Sequence, residues 1–230
     1  MHRIAFYDLD RTVTRLPTWS AFLLFATRDR WPRRALVPLV AGAALAHAVR
    51  LIGRDRLKET MHRIMLGKTT RADRLSALAE RFADHTLSRN IRPGARARIA
   101  ADRAEGYRIV LATAAHRFYA EALARRLGIG DVVATESTLD TTGFVGHRLA
   151  GPNVYGRAKL AAIKAWFDGT GLKRESAHLR FYTDHISDAP CLFFADEAFA
   201  VNPDHRLRTL AATNGWPVLD WGRPAKPAEA

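Results

Sequence analysis

The hydrophobic positions along the chain follow two different patterns. Residues 18–88 carry apolar side chains at helical spacing, for example Trp19 and Phe22, and no convincing strand interrupts this stretch. From residue 93 onward, short apolar runs alternate with helical segments. That alternation predicts an α/β fold with a parallel sheet. The helical stretch follows the first apolar run, residues 3–7, and is then predicted to be an inserted cap.

The alternating half of the chain predicts a series of short elements. Their order suits a parallel sheet, because parallel strands need a crossover segment between them. Strands are predicted at residues 3–7, 107–112, 132–135, 179–183 and 198–201, part of a hairpin at 143–149, and helices at 118–127, 157–167 and 206–213.

The composition is that of an ordinary globular protein, which excludes a disordered chain, a collagen or a coiled coil. Hydrophobic residues make up 48% of the 230 residues and charged residues 26%. The single cysteine, Cys191, excludes an intrachain disulfide, and a chain of this length buries enough surface to fold without one. We therefore expect a reducing, cytoplasmic location and no signal peptide.

The net charge of +13 favours an anionic partner, which could be nucleic acid, a phospholipid surface or a phosphorylated substrate. Only six of the 36 basic residues are lysines. The arginines are dispersed without a dense run, so a coding bias towards arginine explains them equally well. No aromatic and basic nucleic-acid motif is recognisable, and we expect no specific nucleic-acid partner.

One apolar run, residues 35–49, carries no charged residue. It is too short to cross a bilayer alone, because a spanning helix needs about 20 apolar residues. Arginines bracket it on both sides, and Trp31 lies near its start. Two interpretations stay open: a buried helix of a small helical domain, or a helix that lies on an anionic membrane surface. The second would place the protein peripherally at the inner face of the membrane.

Polar residues follow three of the predicted strands at the point where each strand ends. Asp8 and Asp10 follow the first strand and Thr113 the second, while Asp184 follows a later one, with Asp188 one helical turn further on. Because ligands bind at the carboxyl ends of strands in an open parallel sheet, these residues are expected to converge on one rim. Neighbouring carboxylates cannot all stay ionised without a cation, and oxygen ligands suit Mg²⁺. The sequence therefore predicts a Mg²⁺ site at this rim.

Four short segments, taken in order, resemble the motifs of the haloacid dehalogenase-like phosphatases. Residues 8–12, Asp-Leu-Asp-Arg-Thr, resemble the first motif, and Thr113 with its neighbours resembles the second. Lys159 is placed like the lysine of the third motif, and residues 183–188 resemble the fourth. The helical insertion after the first motif and the segment 199–203 are similar to the subgroup that holds the phosphoserine phosphatases.

The resemblance implies a Rossmann-like parallel sheet core with an inserted all-helical cap of the C1 type. The core would comprise residues 1–15 and 91–222, and the cap residues 16–90. The last residues, 223–230, contain two prolines and are expected to be frayed. The resemblance also implies Mg²⁺-dependent hydrolysis of a small phosphorylated substrate through a phospho-aspartyl intermediate.

The carboxylates receive roles from this resemblance. Asp8 is the expected nucleophile, and Asp10 is the expected acid and base. The Mg²⁺ ligands would be Asp8, the backbone carbonyl of Asp10, and Asp184, with Asp188 supporting the metal or its waters. His185, inside the fourth motif, is expected beside the site and not as a ligand.

The remaining site residues are expected to bind the phosphoryl group. Thr113 and the backbone amides of Leu9 and Ala114 would hold its oxygens at a helix start. Lys159 would offset the negative charge that builds up during transfer.

The cap sequence departs from that of the phosphoserine phosphatases. Members of that subgroup carry an acidic residue shortly after the first motif, which meets the serine ammonium, but residues 15–19 contain no carboxylate. The basic, apolar cap is closer to members that act on phospholipid head-group phosphates such as phosphatidylglycerophosphate. We therefore expect a lipid- or polyol-linked phosphate, whose leaving group contacts Trp19, Phe22, Trp31 and the run 35–49.

Two other functions stay open. One is a phosphoserine phosphatase, and the other is a non-catalytic basic module that binds membrane or nucleic acid. The complete set of site residues argues against the non-catalytic module, because a site that no longer catalyses a reaction should have lost at least one of these residues. The sequence does not indicate an oligomeric state.

Overall fold

The computed structural model describes residues 1–222, in which helices predominate over residues 18–104 and strands alternate with helices in the later part of the chain. The tail predicted to be frayed, residues 223–230, lies outside the described residues. The strands are β1 (His2–Tyr7), β2 (Thr69–Arg71), β3 (Arg108–His116), β4 (Asp131–Thr135), β5 (Ser137–Leu139), β6 (Phe144–Leu149), β7 (Ala177–Thr183), β8 (Glu197–Val201) and β9 (Val218–Leu219). The helices are α1 (Thr18–Ala26), α2 (Trp31–Arg34), α3 (Val37–Ala48), α4 (Arg54–Met65), α5 (Ala72–Arg89), α6 (Pro93–Ala104), α7 (Arg117–Arg126), α8 (Arg157–Thr170), α9 (Ala189–Phe194) and α10 (His205–Asn214).

Six of the strands form one parallel sheet in the order β4-β3-β1-β7-β8-β9. β1 lies near the centre, where Ile4 is in register with Arg108 of β3 on one side and with Leu179 of β7 on the other. The predicted α/β fold with a parallel sheet is confirmed. The structure also bears out the strands and helices predicted after residue 93, with ends that differ by a few residues.

The central strands are apolar on both faces because helices cover both sides of the sheet. Ile4 and Phe6 pack into one apolar cluster, while the alternate residues Ala5 and Tyr7 pack into the other. This division follows from the period of two residues in an extended chain. A strand buried on both faces therefore reads as the continuous apolar run seen at residues 4–7.

The helices α6 and α9 and the strand β9 are not predicted by the sequence pattern. α9 has six residues and β9 has two, which is too short for a periodic pattern to emerge. α6 is longer, but its buried face includes the small residues Gly94 and Ala95, so its apolar period is weak.

The two ends of the predicted cap lie side by side. Thr14 and Ile91 form an antiparallel bridge, and the Arg15 amide donates to the Asn90 carbonyl over 2.8 Å. The Asn90 side chain also accepts from the Leu16 amide and donates to the Leu16 carbonyl. The chain thus leaves the sheet and returns to it at two adjacent, hydrogen-bonded segments, as an insertion requires. The exact division into core and cap stays a prediction.

The prediction that no strand interrupts residues 18–88 is wrong at β2. Thr69 pairs with Gly146 and Arg71 with Phe144 in an antiparallel ladder between β2 and β6, and β6 also pairs with β5. The cap stretch is therefore not entirely helical. Three residues are too few for an alternating pattern, and their partner strand is more than 70 residues away, so local periodicity does not reveal the strand.

The interpretation of residues 35–49 as a buried helix is also wrong. None of the residues of α3 is buried, and Leu39 and Leu45 are 59% and 65% exposed. Trp31, just before it, is 77% exposed. α3 lies along α4 and reaches the core only through half-buried residues such as Val40. Among the described helices, none combines the length and the apolar character that crossing a membrane requires.

An aromatic cluster joins the cap to the core. Trp19 of α1 lies 4.3 Å from His116 at the end of β3, and 5.9 Å from His62 of α4, between ring centroids. Neither ring nitrogen of His62 has a hydrogen-bond partner among the described residues. Burial lowers the pKa of His62 to about 4. Protonation of this side chain is therefore unfavourable in the folded state.

We predict that His62 makes the folded state less stable in mild acid. The unfolded chain takes up a proton on His62 below its ordinary pKa of 6.5, while the folded chain does so only near 4. His62 therefore leaves the free energy of unfolding unchanged above about pH 6.5 and lowers it progressively as the pH drops towards 4. When the pH is lowered from 7.5 to 5, the free energy of unfolding should fall in both proteins. The fall should be about 1–2 kcal/mol smaller in His62→Leu than in the parent protein. Denaturant unfolding at both pH values measures this difference.

The matched control is His205→Leu, at the exposed start of α10. This variant should follow the pH dependence of the parent protein. Identical pH dependence for His62→Leu and the parent would show that His62 is freely protonated in the folded state.

Candidate active site

The carboxyl ends of β1 and β7 meet at a cavity of about 370 Å³ that holds a buried ion-pair cluster. Lys159 Nζ, from the first turn of α8, lies 2.7 Å from Asp8 Oδ1 and 2.6 Å from Asp188 Oδ2. All three side chains are buried. Burial alone would lower the pKa of Lys159, but Asp188 and Asp8 raise it above its ordinary value, so the ammonium stays charged.

A threonine connects this cluster to a third carboxylate. The Thr12 hydroxyl lies 3.1 Å from Asp8 Oδ2 and 3.2 Å from Asp184 Oδ1. Burial raises the pKa of Asp8 to about 7, against the opposing effect of Lys159. Burial likewise raises the pKa of Asp184 to about 6, although the Thr12 hydrogen bond opposes it. The protein alone therefore compensates these negative charges incompletely.

These residues fit a hard divalent cation. Three carboxyl groups, those of Asp8, Asp184 and Asp188, share this cluster with one ammonium, that of Lys159, and Asp188 Oδ1 has no hydrogen-bond partner among the described residues. Within residues 1–222, no group of three or more His, Cys, Asp or Glu side chains is arranged as a metal-ligand set. The protein would thus hold the ion with the carboxylates of Asp8 and Asp184, the Asp10 carbonyl and water. Mg²⁺ suits such a site, since it commonly keeps several of its waters.

Asp10 lines the same cavity as Asp8. The extended chain of β1 does not continue to Asp10, because a turn spans Leu9–Val13, in which Arg11 has a φ of +64°. Asp10 Oδ1 accepts hydrogen bonds from the amide and the hydroxyl of Thr18, each over 2.7 Å. Burial raises the pKa of Asp10, which favours the protonated form that a general acid needs.

The expected helix start at Thr113 and Ala114 is absent. β3 continues to His116, and α7 begins only at Arg117. The pairing of β3 with β4 shifts register between Thr113 and His116, and Thr113 Oγ1 accepts from the Ala115 amide over 3.0 Å. Thr113 and Ala114 nonetheless line the cavity. Their backbone is therefore an irregular strand end and not the first turn of a helix.

Leu9 is the third residue expected at the phosphoryl group. Its side chain is fully buried in the core and does not line the cavity. The expectation concerns only its backbone amide and stays a prediction.

The sequence pattern did not single out Lys58, a buried residue of α4 that contacts the carboxyl end of β3. Its ammonium donates to the carbonyl of Ala114 and, over 2.8 Å, to Asn153 Oδ1. Thr135 donates to both of the same acceptors. Burial lowers the pKa of Lys58 to about 8. One signal was available, because Lys58 shares the inner face of α4 with apolar Met61, where a charged residue is unusual.

The outer wall of the cavity is basic. Arg11 and Arg54 line it together with Tyr155, and the Arg54 guanidinium lies 4.0 Å from the centre of the Tyr155 ring. Apart from Asp8, Asp10, Asp184 and Asp188, no carboxylate among the described residues lines this cavity. His185 lies at the rim, where its Nδ1 accepts from the Ser187 amide.

The expected contacts between the cap and a leaving group are mostly wrong. Trp19 and Phe22 pack into the core, and Trp31 is exposed elsewhere. The cap residues that line the cavity are Pro17 and Arg54. The periodicity identifies apolar positions correctly, but it does not distinguish those facing a ligand from those facing the core.

Comparison with protein families agrees with this geometry. The sequence profile of the haloacid dehalogenase-like hydrolases matches residues 5–192. The chain belongs to this family. Haloacid dehalogenase-like phosphatases generally use Mg²⁺, which is compatible with the donor set described above.

Curated relatives of this haloacid dehalogenase-like chain include phosphatases. A phosphoserine phosphatase of Mycobacterium tuberculosis is 34% identical over 149 residues, covering 64% of this chain and 47% of the relative. The chain thus spans about half the length of that relative. A probable phosphatase of the same organism is 28% identical over 231 residues, covering 96% of this chain and 76% of the relative.

Solved structures share the fold. A protein of unknown function from Bordetella pertussis superposes with a TM-score of 0.86 at 23% identity, covering 96% of this chain and 99% of that one. A substrate-bound phosphoserine phosphatase superposes with a TM-score of 0.63 at 12% identity, covering 97% and 94%. At these identities the similarity establishes the fold alone.

We predict that Mg²⁺ binds and stabilises the folded protein. A ligand that binds only the folded state adds about 2.7 kcal/mol at 100 times its Kd. Thermal unfolding should therefore shift to higher temperature as Mg²⁺ is titrated into EDTA-treated protein. Asp184→Asn should abolish most of this shift, because one of the two expected carboxylate ligands is lost.

Asp168→Asn provides a control of equal charge, because Asp168 lies on the exposed end of α8. It should respond to Mg²⁺ like the parent protein. An equal shift in Asp184→Asn would mean that the ion binds elsewhere.

Proposed function

We propose that the protein is a Mg²⁺-dependent phosphomonoesterase that works through a phospho-aspartyl intermediate on Asp8. The observation that carries this proposal is the convergence of Asp8, Asp10 and Lys159 on one cavity from segments up to 151 residues apart. Structural ion pairs also exist in protein cores, but this one lines an open cavity together with Asp10, a further, half-buried acid. The family membership and the names of the relatives support the same reaction class.

In the first step, a carboxylate oxygen of Asp8 forms a bond to phosphorus while the bond to the leaving oxygen breaks. Asp10 donates its proton to that oxygen, so the alcohol leaves neutral. In the second step, Asp10 takes a proton from water, whose oxygen attacks phosphorus and releases inorganic phosphate and the Asp8 carboxylate. Lys159 keeps Asp8 ionised and aligned and stabilises charge near the phosphoryl oxygens. A bound Mg²⁺ would supply further stabilisation of negative charge on those oxygens.

We further propose that the leaving group is anionic or polyol-like, as in a lipid- or polyol-linked phosphate. Arg11 and Arg54 are the charged side chains on the cavity wall beyond the catalytic cluster, and Lys58 lies behind it. An ammonium in this region would face cations. A carboxylate or second phosphate would instead receive hydrogen bonds from a guanidinium.

The two alternatives find less support. A phosphoserine phosphatase needs a partner for the serine ammonium, and the described cavity wall offers none outside the catalytic carboxylates. A non-catalytic basic module would not retain a complete cluster of buried charges, which is costly to maintain in a protein interior. A cytoplasmic location, which the single buried cysteine supports, belongs to this proposal as well.

We predict that the two catalytic aspartates lose activity to different degrees. Asp8→Asn should abolish hydrolysis of p-nitrophenyl phosphate, because an amide is a poor nucleophile. Asp10→Asn should lower kcat by about 10²–10⁴-fold, the usual value of general acid–base catalysis. Steady-state assays in Mg²⁺ and in excess EDTA measure both effects, and EDTA should stop the parent enzyme.

Asp10→Asn should still show the Mg²⁺-dependent thermal shift, because only its carbonyl is an expected ligand. Asp168→Asn should retain full activity. Undiminished turnover in excess EDTA would refute the metal requirement, and a loss below fivefold in Asp10→Asn would show that another group transfers the proton.

We predict that phosphoserine is a poorer substrate than a glycerophosphate-type lipid. Its ammonium would be unpaired beside Arg54, and leaving a buried charge unpaired is strongly unfavourable. The measurement is kcat/KM for both substrates in one assay. Arg54→Gln should lower kcat/KM for the lipid phosphate more than for p-nitrophenyl phosphate. A preference of the parent enzyme for phosphoserine would overturn the substrate class but not the catalytic roles.

A further inference from the structure

The side of α3 that faces away from α4 is apolar and exposed along its whole length. We call the residues on this side the α3 outer face, which consists of Val37, Ala41, Leu45 and Val49. A helix on a protein surface normally carries charged or polar residues on its outer side. The contiguous apolar surface here indicates a binding site rather than ordinary surface.

The polar groups of α3 are used locally. His47 is the only polar side chain in α3, and its Nδ1 contacts the carbonyl of Ile52 over 2.9 Å at the turn into α4. The other side of the helix, which includes half-buried Val40, packs towards the core. The α3 outer face therefore carries no polar side chain that would offset the exposure of its apolar residues to water.

Basic residues flank this face on both sides along the chain. Residues 28–56 contain seven arginines against two aspartates, and no arginine falls within α3 itself. Arg34, Arg50 and Arg54 are all exposed and lie next to the two ends of α3 in the chain. The apolar strip thus lies between two groups of cations.

We propose that the α3 outer face docks on an anionic lipid surface. An apolar helix side inserts at the boundary between head groups and acyl chains, while neighbouring arginines bind lipid phosphates, which is the arrangement of interfacial helices. A second copy of the chain is a poorer occupant, because two surfaces that carry the same arginines repel each other. The overall charge of +13 adds to that repulsion and favours an anionic bilayer.

The α3 outer face is close to the catalytic cavity along the chain. Leu51 is 77% exposed at the turn between α3 and α4, and Arg54, three residues later, lines the cavity. Three residues span at most about 11 Å. Docking would therefore bring the cavity near the lipid head groups. The docking surface itself lies outside the cavity, so its test does not depend on turnover.

Flotation of the whole protein with vesicles tests this proposal. We expect binding to vesicles of phosphatidylcholine mixed with phosphatidylglycerol, little binding to phosphatidylcholine alone, and weaker binding as salt is raised. The double variant Val37→Glu and Leu45→Glu should reduce binding at least about tenfold, since each glutamate adds both a desolvation cost and repulsion from anionic lipid. Leu139→Glu, at an equally exposed leucine of β5, should bind like the parent protein.

The double variant should fold, because both replaced side chains are exposed, and it should hydrolyse p-nitrophenyl phosphate at the parent rate. Failure of the parent protein to float with anionic vesicles would refute docking, as would unchanged flotation of the double variant. A dimer in analytical ultracentrifugation that the double variant dissociates would show that the face binds a second copy instead. Loss of phosphatase activity in the parent protein would bear only on the proposed reaction.

Discussion

One buried ammonium, that of Lys159, determines how the site is assembled. It neutralises carboxylates from two separate strand ends, Asp8 after β1 and Asp188 after β7. Such charges are tolerated in an interior only when they are paired, and removing one partner of a buried pair typically costs about 3–5 kcal/mol. The pairing requires the ends of β1 and β7 to lie side by side and the first turn of α8 to lie next to them. The centre of the sheet and the geometry of the proposed active site thus depend on the same contact.

Much of the site could be predicted because its residues lie at strand ends. A short apolar run followed by Asp8 or Asp184 identifies both the strand and its functional end, and parallel pairing then brings the ends together. Lys58 and Arg54 could not be placed in this way. They lie on an amphipathic helix, and helical periodicity gives the buried side of α4 without giving its position over the sheet.

In the fold, too, the features that depend on local sequence could be predicted, whereas those that depend on contacts with distant parts of the chain could not. The central strands were predictable because burial on both faces leaves a continuous apolar run, as at residues 4–7. The exposed position of α3 was not, because apolar composition alone does not state what covers a helix. β2 depends on a partner far along the chain, and its three residues carry no periodic signal.

The ladder between β2 and β6 also bears on how caps can be exchanged in evolution or by recombination. β2 belongs to the inserted stretch, but its partner β6 lies after residue 140. Two strands of the parallel sheet, β3 and β4, come between β2 and β6 in the sequence. A chimaera that exchanged only the segment between Leu16 and Asn90 would lose the matched partner of this strand. It would leave the edge of β6 unpaired and open to association with other chains. We therefore expect the inserted stretch and the β5–β6 hairpin to be inherited together, although they are encoded in two separate segments of the chain.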